Sequence, residues 1–245
     1  LEKPMEVLFE GFDENIFHKI DDYSSDFCKI IDETVEEDFA YLFVGQWGNG
    51  GYGEDRKDIG RMMKIFIEAF ANKENQPCLI LKTAGASASI LDKEECLTKI
   101  NYVKGLFPKD WKLPKIYFLH GSVTDEEMNE LYNHPKVKAM VSFTHGEGFG
   151  RPLLEFSITG KPIIASSWSG HLDFLDKNYN ILIQGTLSKI PKVAVWNDIL
   201  IPESKWFTVN ENEAYKAFNL VFKDYNKFIE RSKISGENNM RKYTL

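Results

Sequence analysis

The feature that most constrains the fold of this 245-residue chain is a regular alternation of short apolar segments with longer amphipathic ones. The apolar segments are rich in Val, Ile, Leu and aromatic residues, as buried strands are, and the segments between them repeat apolar residues at helical spacing. The alternation recurs about six times, with strands expected at 39–45, 78–83, 115–119, 137–143, 162–165 and 181–183. Apolar strands joined through helices are typical of a parallel sheet with helices on both faces. We therefore predict an α/β fold with a parallel sheet of about six strands.

Several polar residues follow these strands directly. They are Gln46, Thr83, His120, His145 and Ser166. A parallel sheet of this kind binds its ligand at the carboxyl ends of its strands, so we expect the site among these residues. His120 and His145 could act as bases, but lone histidines at strand ends are more often structural or hydrogen-bonding, and we favour that interpretation.

One strand-to-helix connection is unusually rich in glycine. The strand at 137–143 runs into Gly146, Gly148 and Gly150, and Pro152 then fits the first turn of a helix at 152–159. Glycine lets a ligand approach the backbone closely, and the free N–H groups of a helix start favour an anion. The segment therefore predicts a site for a negatively charged group.

Two carboxylates, Glu147 and Glu155, flank this connection. A carboxylate can accept two hydrogen bonds from neighbouring sugar hydroxyls. Diphosphate on the amides and a ribose or hexose on the acids would make a nucleotide-sugar site. A glycine-rich turn with two solvated acids fits this short segment equally well.

The spacing Glu147, seven residues, Glu155 resembles the Glu-x7-Glu signature of retaining glycosyltransferases of the GT-B fold, family 4 type, also called group 1. The segments at 160–166 and 169–174 are similar to the family's Gly-x-Pro-Val-Val-Ala segment and the loop that follows it. The resemblance runs from about Val7 to Phe228. It implies a Rossmann-like three-layer sandwich, the C-terminal, donor-binding half of a GT-B fold.

The resemblance also implies roles for individual residues. Glu155 would hold the nucleotide ribose, and Glu147, the candidate catalytic residue, would contact the transferred sugar or the reacting face. Lys57 matches the family's phosphate-binding lysine, with Arg56 beside it. Gln46 stands where the family has an arginine, which weakens the phosphate site by one charge.

Four further residues complete the expected donor site. The resemblance places Gly148, Phe149 and Gly150 in the loop that faces the donor. Val123 follows a strand in a pattern that resembles the family's Gly-x-Val, whose backbone usually touches the nucleobase in that family. The alternative interpretation of Arg56 and Lys57 is an exposed charged pair that only increases solubility.

A second motif, Gly48, Gly50 and Gly53, spells the G-x-G-x-x-G fingerprint of dinucleotide-binding proteins. That interpretation requires an acid near the end of the next strand to hold the ribose. The strand at 78–83 offers none, so a dinucleotide-dependent oxidoreductase is disfavoured.

Composition limits the classes of binding partner that the chain can have. The net charge of −7 argues against a dedicated nucleic-acid surface, and no run of about 18 apolar residues predicts a membrane span. The three cysteines form no CxxC pair, which fits a reducing cytoplasm. We expect no metal and no cofactor, with Lys57, Arg56 and helix N–H groups neutralising the leaving group.

We expect residues 1–38 to form a leading segment and connector, with a short strand at 5–9. Residues 39–230 would form the nucleotide-sugar-binding domain, with a looser stretch at 185–207, and 231–245 a polar tail that frays. Complete GT-B enzymes have a second Rossmann-like domain on the N-terminal side, so this chain would be incomplete without that acceptor domain.

The expected activity is transfer of a hexose, with retention, from a nucleoside diphosphate sugar to an unknown acceptor, which can be a glycan, a lipid or a protein. The alternative is a non-catalytic nucleotide- or sugar-binding module.

Overall fold

A computed structural model of the chain describes residues 5–196 and 199–245. Its helices are α1 (Asp26–Thr34), α2 (Ile59–Phe70), α3 (Ile90–Lys104), α4 (Asp125–Asn133), α5 (Arg151–Ser157), α6 (Glu211–Lys223) and α7 (Tyr225–Tyr243). Its strands are β1 (Ala40–Gln46), β2 (Cys78–Ala84), β3 (Ile116–Leu119), β4 (Val137–Ser142), β5 (Ile163–Ser166), β6 (Ile181–Ile183), β7 (Gly185–Lys189) and β8 (Lys205–Val209).

The first six strands form one sheet in the order β3-β2-β1-β4-β5-β6, and every neighbouring pair is parallel. This is the strand order of the Rossmann fold, which reverses direction between β1 and β4. The predicted six-stranded parallel sheet is confirmed. A ligand at the carboxyl ends of β1 and β4 would therefore lie at the point where the order reverses.

The core consists of two apolar layers, one on each face of the sheet. Along β1, Tyr41 and Phe43 pack with α2, α3 and α6, while Ala40 and Leu42 pack with α4 and α5 on the other face. All four of these side chains are fully buried. Burying a large apolar side chain stabilises a fold by about 1.5–3 kcal/mol, so both faces of this strand hold the domain together.

Side chains cap the starts of two helices. Thr124 and Glu127 form a capping box at α4. Asn210 caps α6, because its side chain accepts a hydrogen bond from the Glu213 N–H. None of the helices among the described residues has the length and apolar character that a membrane span requires.

Two predictions for the chain ends are wrong. Residues 5–9 form no strand, and Leu8 is 97% exposed, because no neighbouring strand pairs with this segment. The tail at 231–245 does not fray, because its residues up to Tyr243 belong to α7, which packs on α5. Asn239 of α7 donates to Ser157 Oγ at 2.8 Å, and Tyr243 is buried.

The stretch at 185–207, expected to be loose, contains two strands. β7 and β8 pair antiparallel, with Gly185 opposite Val209 and Lys189 opposite Lys205. Phe207 and Val209 of β8 are buried in the core beside α6. The hairpin is therefore anchored to the domain and brings residues of this segment beside the central glycine loop.

Candidate functional site

A cavity of ≈460 Å³ opens at the carboxyl ends of β1, β2 and β3. Gln46, Val123 and Glu155, three of the predicted site residues, all line it. They come from the end of β1, the loop before α4 and the interior of α5. The fold therefore gathers residues that are more than 100 positions apart onto one concave surface.

The wall of this cavity at 85–88 is fixed by Asp92, which sequence reasoning missed. Its carboxylate accepts the N–H groups of Gly85 and Ala86, each at 2.8 Å, and His120 Nε2 lies 2.9 Å from its Oδ2. Burial would raise the pKa of Asp92, but these hydrogen bonds lower it to about 2. His120 thus holds the loop, as its structural interpretation predicts.

Glu155 is only 5% exposed, yet it reaches the cavity. Tyr132 donates to its Oε2 at 3.1 Å. Arg151 Nε lies 2.9 Å from its Oε1, but no donor among the described residues is aligned for a hydrogen bond to that oxygen. Burial raises the pKa of Glu155 to about 7, although Arg151 opposes the shift. Both carboxylate oxygens of Glu155 are thus enclosed, one beside Tyr132 and the other beside Arg151.

The glycine loop is held against the segment that follows β5. Gly170 donates to Glu147 O at 3.1 Å, and a Cβ on Gly170 would stand 1.9 Å from Gly148 O. Ser169 Oγ accepts the Glu147 N–H at 2.6 Å. By contrast, a Cβ on Gly148 would meet nothing within 4 Å. The loop is thus packed tightly on one side and open on the other.

The two residues that follow Gly148 contribute differently. Phe149 is buried in the core, with its ring centroid 5.1 Å from that of Phe174, so only its backbone can face a ligand. Gly150 has φ +95°, in the left-handed region that favours glycine, and it begins α5.

The predicted basic pair, Arg56 and Lys57, contacts the predicted catalytic residue Glu147. Lys57 Nζ forms an ion pair with Glu147 Oε1, and Arg56 Nη1 lies 3.2 Å from Oε2 while donating to Gly146 O at 2.6 Å. Lys57 therefore lies beside the residue that precedes Gly148. Its Cε also lies 3.3 Å from where a Cβ on Gly45 would stand, over the end of β1.

The acid and the lysine of this pair are both largely buried. Burial would raise the pKa of Glu147, but Lys57 and then Arg56 outweigh it and hold that pKa below its ordinary value. Burial lowers the pKa of Lys57, against the opposing effect of Glu147. Glu147 is accordingly ionised at neutral pH and is an acceptor of hydrogen bonds, not a proton donor.

A second cavity, of ≈400 Å³, lies on the other side of the pair. Arg56, Glu147 and Gly148 line it together with Trp168 and Trp206. Trp206 comes from the β7–β8 hairpin, which the sequence did not predict. This cavity has both charged and aromatic walls, as sites for polar molecules with apolar faces do.

His145 also lines the second cavity, but its contacts give it a structural role. Its Nδ1 lies 2.6 Å from Phe207 O, and its ring stacks on Trp206 with centroids 4.7 Å apart. Burial lowers its pKa. Within residues 5–196 and 199–245, no group of three or more His, Cys, Asp or Glu side chains is placed to hold a metal ion.

A sequence model of the family described as "Glycosyl transferases group 1" matches residues 62–200, more than half of the chain. The chain belongs to this family. The matched range contains the glycine loop and both acids of this group 1 glycosyltransferase, while Gln46, Arg56 and Lys57 precede it. No curated protein sequence matches the chain.

Solved structures share the fold of this group 1 chain. The C-terminal domain of the glycosyl transferase group 1 family protein LpcC from Francisella tularensis has a TM-score of 0.62 and 16% identity, over 96% of this chain and 100% of that one. The fold predicted from the resemblance, a Rossmann-like C-terminal domain of a GT-B enzyme, is thereby confirmed.

Two longer relatives show the same fold. HepE from Anabaena, solved in complex with UDP and glucose, has a TM-score of 0.62 and 14% identity over 98% of this chain and 53% of its own. Sucrose-phosphate synthase from Thermosynechococcus elongatus has a TM-score of 0.61 and 18% identity over 96% of this chain and 47% of its own. The chain thus spans about half the length of each.

Proposed function

We propose that this chain is the donor-binding half of a retaining glycosyltransferase, which transfers a hexose from a nucleoside diphosphate sugar. The observation that carries the proposal is the position of Lys57 between the two cavities. Its side chain covers Gly45, which lines the first, and its ammonium contacts Glu147, which lines the second. A diphosphate that joins a nucleoside in one cavity to a hexose in the other would pass this cation.

The first cavity suits the nucleoside. Glu155, which lines this cavity, would accept a ribose hydroxyl, and the backbone around Val123 would lie against the base. The complex of HepE with UDP and glucose supports a nucleoside diphosphate sugar as the donor class. Gln46 donates to Gly85 O at 2.7 Å and carries no charge, so Lys57 and Arg56 are the cations proposed for the diphosphate.

The second cavity suits the transferred sugar. Glu147, held ionised by its two cations, would accept hexose hydroxyls and face the positive charge that develops at the anomeric carbon. Lys57 and Arg56 would stabilise the negative charge that develops on the departing diphosphate, with no metal ion required. Charge-assisted hydrogen bonds of this kind, aimed at developing charge, are usually the largest single contribution to catalysis.

The acceptor is proposed to come from a second domain. Ligand orientation between two walls can contribute about 7–11 kcal/mol of the barrier, which the contacts of one wall cannot replace. We therefore expect the 245-residue chain alone to bind the donor while its sugar transfer stays at background.

The test is sugar transfer by the complete enzyme that contains this chain, with the product's anomeric configuration read by NMR. We expect retention. Glu147→Gln should lower kcat about 100-fold or more, as loss of one group that stabilises transition-state charge does, and leave donor affinity within about threefold. An inverted product, or unchanged turnover in Glu147→Gln, would contradict the proposed mechanism.

A further inference from the structure

The first cavity is lined by a lysine that has no part in the proposed donor chemistry so far. Lys82 lies in β2, opposite Val44 of β1 and Leu119 of β3. Side chains paired across a parallel sheet in this way lie on the same face. Val44 and Leu119 pack with the apolar layer of α4 and α5. The side chain of Lys82 therefore lies on the face from which Tyr132 and Glu155 also reach the cavity.

The ammonium of Lys82 reaches the loop that follows β3. Its Nζ donates to Gly121 O at 2.6 Å, and Gly121 also lines the cavity. An ammonium group has three donors and no acceptor. Within residues 5–196 and 199–245, Gly121 O is the one acceptor that this ammonium contacts. Because the side chain is only partly buried and lines the cavity, it can donate further hydrogen bonds to a ligand there.

Lys82 forms no ion pair with an acid in the part of the chain that the structure describes. Burial lowers its pKa, and no carboxylate opposes that shift. Asp125 and Glu155 are the acids that line the same cavity, and Glu155 lies beside Tyr132 and Arg151 instead. The donors of Lys82 are therefore not taken up by a neighbouring acid.

The order of the strands places Lys82 at the nucleobase end of the proposed donor. Glu147, which follows β4, would face the hexose, and Lys57, over the end of β1, would hold the diphosphate. β2 and β3 come next in the sheet, each about 4.8 Å further on. A donor that extends along this edge brings its base to the ends of β2 and β3, where Lys82 and Gly121 lie.

Nucleobases differ in the group that they would present to this lysine. Uracil and guanine carry a keto oxygen, which accepts a hydrogen bond, where cytosine and adenine carry an amino group, which donates one. A lysine only donates. It therefore pairs with the keto oxygen, whereas an amino group at the same place would leave two donors facing each other.

We propose that Lys82 selects the nucleobase of the donor, favouring a keto base, uracil or guanine, over an amino base, cytosine or adenine. This role rests on the proposed function, because it takes the first cavity as the nucleoside site. It makes Lys82 a specificity-determining residue, separate from the two cations assigned to the diphosphate.

The test is calorimetric titration of the 245-residue chain with two matched pairs of nucleotides, UDP with CDP and inosine diphosphate with ADP. The bases of each pair have the same size and differ in a keto oxygen against an amino group. We expect the keto member of at least one pair to bind about tenfold or more tightly, as one hydrogen bond to a charged group allows.

Lys82 variants assign this preference to the lysine. Lys82→Met keeps a side chain of similar length without donors, so it should weaken the keto nucleotide about tenfold and leave the amino nucleotide within about threefold. Lys82→Arg, which still only donates, should retain the preference. Lys93→Met, at an exposed position of α3, is the matched control and should bind as wild type does. Thermal unfolding checks that each variant folds.

The outcomes separate this role from the proposed function. Equal binding within both pairs, or tighter binding of CDP and ADP, would overturn the role of Lys82 even if Lys82→Met failed to fold, and would leave the donor site in place. An equal loss of all four nucleotides in Lys82→Met would also overturn it, because the lysine would then act on the phosphates or on the loop. Absence of binding by all four nucleotides would contradict the proposed function itself, and the role of Lys82 with it.

Discussion

Lys57 is the residue on which the proposed donor chemistry depends most. Its ammonium pairs with the buried carboxylate of Glu147 in the free protein, and in the complex it would also serve a diphosphate. The two roles affect different measurements. Losing the first lowers the stability of the fold, whereas losing the second lowers donor affinity.

Lys57→Ala is expected to weaken binding of the donor about ten- to a hundredfold, as loss of one hydrogen bond to a charged group does. It should also lower the free energy of unfolding by roughly 1–3 kcal/mol, because Glu147 keeps only Arg56 as its partner. Calorimetry with a nucleoside diphosphate hexose and urea unfolding measure the two effects.

A double variant separates these roles. Lys57→Ala with Glu147→Gln removes the uncompensated charge, so stability should recover while donor affinity stays weak. Lys93→Ala, at an exposed position of α3, is the matched control and should change neither quantity. Recovery of donor affinity in the double variant would mean that Lys57 acts only through Glu147.

Glu155 predicts a pH dependence of donor binding. Burial raises its pKa to about 7, and the ionised form is the better acceptor of a ribose hydrogen bond. Affinity should therefore fall as pH decreases through 7, by about tenfold from pH 8 to pH 6, since ionisation falls tenfold per unit below the pKa. In Glu155→Gln the dependence should be flat, and an equal slope in that variant would assign the titration to another group.

The close contact between Gly170 and Gly148 supports a prediction about the glycine loop. Gly170→Ala would force a Cβ to within 1.9 Å of Gly148 O, so it should cost about 1–3 kcal/mol of stability. Gly148→Ala meets nothing within 4 Å and should leave stability within about 0.5 kcal/mol, yet its methyl would narrow the open face to which the donor is assigned.

Thermal unfolding and donor calorimetry on this pair of variants check the loop's role. We expect lower stability in Gly170→Ala, and weaker donor binding at unchanged stability in Gly148→Ala. If Gly148→Ala binds the donor as wild type does, then the open face of the loop is not a donor contact.

The sheet and most helices were predictable because their sequence patterns follow from burial. β1, β2 and β4 are buried on both faces and therefore read as continuous apolar runs. β7, with its sequence Gly-Thr-Leu-Ser-Lys, is largely exposed and gives no such signal. The β7–β8 hairpin is therefore evident only in the folded structure, where β8 packs against the core.

The C-terminal part of helix α7 escaped prediction for a different reason. Its buried residues include Ser232, Ser235, Gly236 and Asn239, which are small or polar and produce no apolar stripe. They allow α7 to approach α5 closely, as a Cβ on Gly236 would lie 2.5 Å from Ser157 O. Close backbone contact, hydrogen bonds and the buried ring of Tyr243 hold this helix in place.

The residues of the candidate site could be predicted from the sequence only where a short local motif contains them. The glycine loop and the two acids share one short segment, so their spacing identifies them. Asp92, Tyr132 and Trp206 come from three separate elements. Only the folded chain shows that Tyr132 and Trp206 line the two cavities and that Asp92 holds a loop of the first. Their contributions depend on tertiary contacts that no sequence spacing encodes.

At the scale of the molecule, the proposed function requires the domain to bind the donor with its own residues. The first cavity, the basic pair and the second cavity are all built from residues of this chain. Its span of about half the length of HepE and sucrose-phosphate synthase is consistent with a proposed partner wall that supplies the acceptor. Donor binding should therefore not require that partner.

The most direct test is calorimetric titration of the 245-residue chain with UDP-, GDP- and ADP-hexoses, in wild type and in Glu155→Ala. The account predicts saturable binding of at least one donor, weakened about tenfold or more in Glu155→Ala, which removes the ribose acceptor from the first cavity. Glu126→Ala, an exposed acid of α4, should bind as wild type does. Absence of binding by all three donors, or unchanged affinity in Glu155→Ala, would contradict the assignment of this chain as the donor half.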